Sequence, residues 1–131
     1  MNGIFNCMKK FNQKLLYVED HDAIRNSMSR LMGNVLFENP IDTAENGLEG
    51  LELFKENRYN LIITDIAMPK MNGVEMSKKI REINKDIPII FLTGFNEEYI
   101  NDIEFINNSY LLTKPLNLEL LVEKIKGISH I

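Results

Sequence analysis

The sequence predicts an α/β domain with a doubly wound, five-stranded parallel sheet of strand order 2-1-3-4-5. From residue 15 onward, short apolar runs alternate with patterns of helical periodicity. The apolar runs show no polar alternation, which is typical of parallel strands covered by helices on both faces. Because the strand–helix unit repeats five times, right-handed crossovers would assemble a (βα)5 sheet.

Four strands are indicated by apolar runs and a fifth by a weaker pattern. The four runs lie at 15–18, 61–64, 87–92 and 110–112. The weaker pattern lies at 35–44 and is interrupted by Pro40. Proline cannot donate a hydrogen bond to a neighbouring strand. This segment is therefore predicted to be an edge strand.

Five helices are indicated by apolar residues that recur with helical spacing. Each stripe is interpreted as a core-facing surface rather than a partner surface. The stripes are Ile24, Met28 and Leu31; Leu48, Leu51 and Phe54; Val74, Ile80 and Ile83; Tyr99, Ile100, Ile103 and Ile106; and Leu118, Leu121, Val122, Ile125 and Ile128.

The length and composition fit one globular domain. The chain has 131 residues, of which 44% are apolar and 26% are charged, an ordinary globular balance. We expect a flexible N-terminal arm at 1–13 and a single domain at 14–129.

Composition also excludes several classes of protein. The 19 acidic and 15 basic residues give a net charge of −4, and no basic stripe of the kind that binds nucleic acid is present. Cys7 is the single cysteine, so no internal disulfide can form and a cytoplasmic location is expected. No apolar run approaches the roughly 20 residues needed to span a membrane.

Polar residues follow four of the predicted strands. Glu19 and Asp20 end the first strand, Asp65 the third and Thr93 the fourth, and Lys114 follows the fifth. The carboxyl ends of parallel strands meet at one edge of an open α/β sheet, where functional groups collect. With strands one and three as neighbours, the three carboxylates would lie together.

This set of residues suits phosphoryl transfer. Crowded carboxylates raise one another's pKa unless a cation relieves them, and an oxygen-only ligand set suits Mg²⁺. A carboxylate nucleophile at Asp65, beside a metal, the Lys114 ammonium and the Thr93 hydroxyl, favours formation of an aspartyl phosphate.

Four blocks of the sequence carry a family resemblance. They are 15–20 (LLYVED), 65–73 (DIAMPKMNG), 91–94 (FLTG) and 114–115 (KP). In this order and spacing they resemble the receiver domain of bacterial two-component response regulators, which has a flavodoxin-like fold. The resemblance covers about residues 14–128, nearly the whole chain.

The resemblance implies a phosphoacceptor and a metal site. Asp65 would be phosphorylated from the phosphohistidine of a sensor histidine kinase or a phosphotransfer protein. Mg²⁺, with Mn²⁺ as an alternative, would be bound by Asp20, Asp65 and the backbone carbonyl of Ala67, while Glu19 would act largely through water. A receiver is a signalling module, not an enzyme with a turnover substrate.

The resemblance also implies a switch. Thr93 and Lys114 would contact the phosphoryl oxygens, and the Lys114–Pro115 peptide would be cis. Phosphorylation would then shift a surface formed by the fourth helix, fifth strand and fifth helix. That surface would control a downstream protein or an output domain. It is also a candidate homodimer interface, although the sequence does not decide the oligomeric state. The sequence fits a stand-alone regulator and a piece of a longer protein equally well, and it identifies neither kinase nor target.

Two features depart from the family pattern. Receivers commonly carry an aromatic switch residue three positions before the lysine, but here Leu111 stands there and Tyr110 precedes it. Because side chains alternate faces along a strand, either a bulge restores Tyr110 to the switch position or the readout differs. Residues 107–109 (NNS) stand where a small Gly-Ala pair is common.

Two neighbours of the site would tune the lifetime of the phosphorylated state. Ala67 lies two residues beyond Asp65, and Phe95 lies two residues beyond Thr93. In the family these positions control how readily water reaches the phosphoaspartate. We expect the apolar Ala67 and the bulky Phe95 to restrict that water and lengthen the lifetime.

Three other functions fit parts of the pattern. A Mg²⁺-dependent phosphohydrolase with an aspartyl nucleophile would pair two acids two residues apart, and 65–67 (DIA) lacks the second. A flavodoxin-like cofactor binder would need a phosphate loop where 19–22 (EDHD) would repel phosphate. A receiver that is never phosphorylated and acts only as a docking module is disfavoured by its complete acid pocket. His21 and His130 are expected to face solvent and not to act as phosphodonors.

Overall fold

The computed structural model describes residues 9–94 and 100–128 and shows alternating strands and helices throughout. In chain order the elements are β1 (Leu15–Val18), α1 (Asp22–Val35), β2 (Asp42–Ala44), α2 (Gly47–Glu56), β3 (Leu61–Asp65), α3 (Gly73–Ile83), β4 (Ile89–Thr93), α4 (Ile100–Ile103), β5 (Ser109–Thr113) and α5 (Leu118–Gly127). Among these helices, none combines the length and the apolar character that crossing a bilayer requires.

The five strands form one parallel sheet of order β2-β1-β3-β4-β5, which confirms the predicted topology. Val18 at the end of β1 pairs with Thr64 in β3, and Asp65 pairs with Leu92 in β4. The residues that follow these pairs therefore leave the sheet side by side at its carboxyl edge.

Each face of the sheet has its own apolar core. Successive side chains of a strand point to opposite faces. Leu16 and Val18 accordingly pack with residues of α2, α3 and α4, whereas Leu15 and Tyr17 pack with residues of α1 and α5. All four are at most 1% exposed, as the uninterrupted apolar run predicts.

The helical stripes were predicted to be buried, and this is wrong at their margins. Ile24 and Leu31 in α1, Leu48 in α2 and Ile83 in α3 are 45%, 37%, 41% and 54% exposed. A helix lying on a sheet buries only the line of residues that contacts the strands. In α1 that line runs through Met32, which is fully buried.

The second strand is shorter than the sequence pattern indicated. Val35 ends α1 instead of starting a strand, and β2 begins only at Asp42, after Pro40. The helix continues to Val35 because its own residue Met32 is fully buried against the sheet side of the core. The Leu36 N–H, at the end of the helix, still donates to the Met32 carbonyl. The edge position of this strand is confirmed.

The fourth helix is a single turn in the part of the chain that the structure describes. Ile103 and Ile106 are buried as predicted. From residue 100 onward, where the description of the chain resumes, the helix covers Ile100–Ile103. The Ile106 N–H donates to the Ile103 carbonyl at 2.9 Å, so the chain turns tightly toward β5 after the helix. Tyr99, the first residue of the predicted stripe, lies outside the described residues.

The expectation of a flexible arm is wrong at Phe11. Phe11 forms a parallel bridge with Phe37, and its N–H donates to the Leu36 carbonyl at 2.8 Å. The two phenyl rings lie 5.8 Å apart. Apolar contact and backbone pairing therefore fix this segment to the domain. Residues 1–8 of the predicted arm lie outside the described residues.

Candidate functional site

Three carboxylates meet at the carboxyl edge of the sheet. Each of Glu19, Asp20 and Asp65 offers an oxygen, and these oxygens lie within 4.8 Å of one another. Glu19 and Asp65 are 2% and 3% exposed, whereas Asp20 is exposed to solvent. The clustering follows from the pairing of β1 with β3, as predicted. A compact set of carboxylate oxygens with one solvent-facing member fits a hard divalent cation that keeps several waters.

Burial makes this cluster costly to ionise. The pKa of Glu19 is raised to about 7, chiefly by loss of solvent and also by the Asp65 charge, against the opposing hydrogen bond from the His21 N–H. Burial also raises the pKa of Asp65, an effect that Lys114 and the Ile66 N–H oppose. A cation placed among these carboxylates would favour their ionised forms.

Lys114 reaches the buried carboxylate directly. Its Nζ lies 2.6 Å from Asp65 Oδ1, and the Ile66 N–H donates to the same oxygen at 3.0 Å. Burial alone would lower the pKa of Lys114, but the contact with Asp65 outweighs it and the pKa is raised. The Lys114–Pro115 peptide is cis, as expected.

Thr93 lies at the end of β4, one residue beyond the partner of Asp65 in the strand register. Its side chain is buried, and its hydroxyl donates to the Gly94 carbonyl at 3.1 Å. The Thr93 carbonyl accepts from the Lys114 N–H at 2.7 Å. This backbone hydrogen bond joins the end of β4 to the residue after β5, and it brings Thr93 and Lys114 together as predicted, with Lys114 in contact with Asp65. Phe95 lies outside the described residues.

Gly73, which sequence reasoning did not single out, lets α3 approach the site. A Cβ atom at this position would overlap the Asp65 carbonyl oxygen and come within 3.2 Å of the Thr64 hydroxyl. The Gly73 N–H donates to the Ile66 carbonyl at 2.8 Å. The available signal was a glycine directly after Asn72, which caps α3 with its side chain.

The loop between Asp65 and α3 is a tight turn. Lys70 has a φ of 67°, and the Met71 N–H donates across it to the Pro69 carbonyl at 2.7 Å. Ala67 precedes this turn and is exposed.

His21 begins α1 and does not belong to the carboxylate cluster. Its Nδ1 accepts from the Ile24 N–H at 3.4 Å, so the histidine caps the helix. Its own N–H donates to Glu19 Oε2 at 3.0 Å. The imidazole is exposed, as predicted. His130 lies outside the described residues.

Tyr110 and Leu111 face opposite sides of β5. The strand pairs with β4 residue by residue along its described length, with Tyr110 opposite Ile90 and Leu111 opposite Phe91. Tyr110 packs against the core of α1 and α5, and its hydroxyl donates to Asn108 Oδ1 at 2.7 Å. Of the two alternatives, the prediction of a bulge that restores Tyr110 to the switch position is therefore wrong. Leu111 keeps that position and is 38% exposed.

The segment before β5 is held by an arginine. Arg81 at the end of α3 donates through Nε and Nη2 to the Asn107 carbonyl, at 3.1 and 2.5 Å. Asn108 adopts a left-handed φ of 53° and donates through Nδ2 to the Asp86 carbonyl at 2.6 Å. The Ser109 hydroxyl donates to the Ile106 carbonyl at 2.7 Å. These contacts tie the end of α4 to the α3–β4 connection.

Comparison with known proteins places the chain in one family. The family model described as the response regulator receiver domain matches residues 15–126. The response regulator receiver protein CpdR of Brucella abortus is 30% identical over 115 residues, which cover 87% of this chain and 94% of that protein. The chain therefore belongs to the response regulator receiver domain family, whose members generally signal rather than catalyse turnover.

Longer relatives and solved structures agree with this family assignment. A CpxR homolog of Haemophilus influenzae, a transcriptional regulatory protein, is 34% identical over 116 residues, which cover 88% of this chain but 49% of that protein. The chain thus spans about half the length of such relatives. The structure of the response regulator TrrA from Thermotoga maritima, in complex with Mg²⁺-BeF, superposes with a TM-score of 0.75 at 35% identity, covering 88% of this chain and 98% of that one.

Proposed function

We propose that Asp65 is the phosphoacceptor of this receiver domain. Asp20, Asp65 itself and the Ala67 carbonyl would bind Mg²⁺, with Glu19 acting largely through water. The supporting observation is the convergence of three carboxylates and Lys114 at one edge of the sheet. TrrA, a relative of the same fold, was solved with Mg²⁺-BeF, which makes Mg²⁺ the natural first choice. Mn²⁺ has similar ligand preferences and would serve as a probe.

The chemistry is an in-line phosphoryl transfer. A carboxylate oxygen of Asp65 forms a bond to phosphorus as the P–N bond of the donor's phosphohistidine breaks, and the electron pair of that bond returns to the imidazole. Bound Mg²⁺ would supply positive charge to the phosphoryl oxygens. Asp65 must be ionised to attack, and the Lys114 ammonium 2.6 Å away favours that form.

Two side chains must move for the phosphorylated state to form. Lys114 must leave Asp65 Oδ1 to contact a phosphoryl oxygen, and the Thr93 hydroxyl must turn away from the Gly94 carbonyl to donate to another. Thr93 is the last residue of β4 and Lys114 directly follows β5. Their movement would therefore shift the surface formed by α4, β5 and α5. We propose this surface, with Leu111 rather than Tyr110 at the switch position, as the output and homodimer face.

The donor is proposed to be a sensor histidine kinase or a phosphotransfer protein. A cavity of about 410 Å³ opens beside Lys114 between α1 and the loop after β5. Its apolar lining includes Met28 from α1 and Pro115 and Leu116 from the loop, and Ile24 is 45% exposed at its rim. An apolar surface of this kind beside the phosphoacceptor suits docking of the donor's histidine-bearing segment. The downstream target, or a further output domain, and the predicted cytoplasmic location stay predictions.

The decisive experiment uses a small phosphodonor. Incubation of the chain with acetyl phosphate and Mg²⁺ should add one phosphoryl group, detected by intact mass, and Asp65→Asn should accept none. Omission of Mg²⁺ or addition of EDTA should stop labelling of the parent. Labelling of Asp65→Asn at the parent rate would sink the assignment.

The alternatives give different results in the same assay. A phosphohydrolase would release phosphate continuously from an aryl phosphate, but residue 67, where its second acid would stand, is alanine. A docking module that is never phosphorylated would stay unlabelled although folded. We propose that the chain accepts the phosphoryl group once and has no turnover substrate.

We further propose that Ala67 and Phe95 lengthen the phosphorylated lifetime by restricting water. Ala67 offers no side chain that could orient a water toward Asp65. Comparing dephosphorylation of the parent with Phe95→Ala tests the second residue. Faster loss of the phosphoryl group from the variant is expected, and an unchanged or slower loss would contradict the proposal.

A further inference from the structure

Arg25 links the two ends of the turn that carries Glu19 and Asp20. Its Nη1 donates to the Glu19 backbone carbonyl at 2.9 Å, and its Nη2 donates to Asp22 Oδ1 at 2.6 Å. The Arg25 side chain is 13% exposed, whereas that of Asp22 is 77% exposed. The arginine is therefore the buried member of the pair and extends along the turn from α1.

From this geometry we infer that Arg25 is a positioning residue for the divalent-metal site. Asp20 directly follows the Glu19 carbonyl that the guanidinium binds, so the backbone that enters Asp20 is held, and the contact with the Asp22 side chain orients the guanidinium. The planar guanidinium presents several donors in a fixed arrangement and suits two acceptors at once. The inference rests on the proposed function only in taking Glu19, Asp20 and Asp65 as the metal ligands.

Besides Arg25, hydrogen bonds at Glu19 hold this turn. The Glu19 N–H donates to the Ala44 carbonyl at 3.0 Å, and Glu19 Oε2 accepts from the His21 N–H at 3.0 Å. Asp20 itself is exposed. Releasing the Glu19 carbonyl would let the turn sample other conformations, and ordering it again on metal binding would cost conformational entropy.

Two effects of Arg25 on metal affinity oppose each other. A positive charge near the carboxylates repels a divalent cation, so its removal would tighten binding. This repulsion is weakened because the guanidinium is paired with Asp22 at 2.6 Å and donates to a backbone carbonyl rather than to a ligand carboxylate. Residues that orient metal ligands typically change affinity by about 10- to 100-fold. We therefore expect the orienting effect to prevail.

The test is a direct metal titration of Arg25→Gln and Arg25→Lys. Calorimetric titration with Mg²⁺ measures the metal affinity of the parent and of each variant without phosphorylation. A second titration with Mn²⁺, followed by electron paramagnetic resonance, measures it independently. The dissociation constant of Arg25→Gln should rise about tenfold. That of Arg25→Lys should rise by less, because its ammonium can still donate to the Glu19 carbonyl although it cannot bind both acceptors at once.

Asp22→Asn is the matched control. It removes the charge of Asp22, which solvent largely screens at 77% side-chain exposure, but keeps an Oδ1 acceptor and leaves Arg25 bound to the Glu19 carbonyl. Affinity should therefore change by no more than about twofold. Unchanged or tighter metal binding by Arg25→Gln would overturn the inference, since charge repulsion would then dominate. Circular dichroism of the metal-free variants checks folding, and Arg25→Lys keeps the test decisive if Arg25→Gln does not fold.

The Mg²⁺ dependence of acetyl phosphate labelling separates positioning from general damage. For Arg25→Gln, half-saturation should require about tenfold more Mg²⁺, while the maximal rate stays near that of the parent. A lower maximal rate with unchanged half-saturation would contradict positioning. If the metal affinities of the parent, Arg25→Lys and Arg25→Gln fall in that order but the parent is never phosphorylated, the proposed function fails and this inference stands. If the parent is phosphorylated and Arg25→Gln binds metal normally, only this inference fails.

Discussion

Lys114 Nζ lies 2.6 Å from Asp65 Oδ1, although one residue follows β5 and the other ends β3. The contact crosses the end of β4 at the carboxyl edge of the sheet. Burial raises the pKa of Asp65 and Lys114 opposes that effect. The ion pair thus favours the ionised form of the proposed nucleophile.

Lys114→Met should slow labelling by acetyl phosphate at saturating Mg²⁺. The variant loses the ammonium that favours ionised Asp65 and that would contact a phosphoryl oxygen in the transition state, and loss of such a donor costs about 100-fold. Intact-mass time courses measure the rate. Lys126→Met, in an exposed residue of α5, is the charge-matched control and should label at the parent rate. Equal rates for both variants would remove Lys114 from the mechanism.

Metal affinity should increase with pH through the titration of Glu19. Burial raises the pKa of Glu19 to about 7, so a large fraction of the free protein holds a proton there at neutral pH. Metal binding must displace that proton. Calorimetry between about pH 6 and pH 8 should show progressively tighter Mg²⁺ binding. Glu19→Gln should flatten this dependence, and a parent affinity independent of pH would contradict it.

The same pKa shift has a consequence for metal-free stability. Because the pKa of Glu19 is raised on folding, the folded state holds this proton more tightly than the unfolded chain. The resulting stabilisation of the folded state is fully present below pH 4.5 and is lost as the pH rises through about 7. In EDTA, Glu19→Gln should therefore unfold at higher urea concentration than the parent at about pH 8 and at a similar concentration near pH 5. A variant less stable than the parent at the higher pH would reverse the sign.

Gly73→Ala should destabilise the domain. The added methyl group would overlap the Asp65 carbonyl oxygen, and backbone cannot yield as a flexible side chain can. Overpacking of this kind costs about 2 kcal/mol. Urea unfolding measures the loss. Gly127→Ala is the control because nothing lies within 4 Å of the added Cβ atom. A helix-favouring alanine there should leave stability unchanged or slightly raised.

The strand ends were readable from sequence because parallel strands impose a simple rule. Once Leu15–Val18 and Leu61–Asp65 are neighbours, the acids that follow or end them must meet. Burial of both faces made those strands visible as unbroken apolar runs. The end of α1 was not readable, because Val35 favours strand locally and Met32 decides the matter only through tertiary packing.

Two features of the structure, one at the site and one away from it, depend on contacts that no periodicity encodes. The Arg25 guanidinium reaches back six residues to a backbone carbonyl, and arginine in an amphipathic helix ordinarily faces solvent. Phe11 is bound by pairing with a segment 26 positions away in sequence. Such contacts arise from the three-dimensional course of the backbone, so residue type alone gives no signal for them.

Tyr110→Phe should preserve the response to phosphorylation. The Tyr110 hydroxyl donates to Asn108 Oδ1 at 2.7 Å, so the variant should lose about 1 kcal/mol of stability. Its ring, however, faces α5, with Lys124 Nζ 6.0 Å from the ring centroid. Leu111, on the opposite face, is the residue whose surroundings should change. Backbone amide spectra of residues 107–113, recorded with Mg²⁺ and with or without beryllofluoride as a phosphoryl mimic, measure the response. The shifts should persist in Tyr110→Phe and shrink in Leu111→Ala, and the reverse order would return the switch role to the tyrosine.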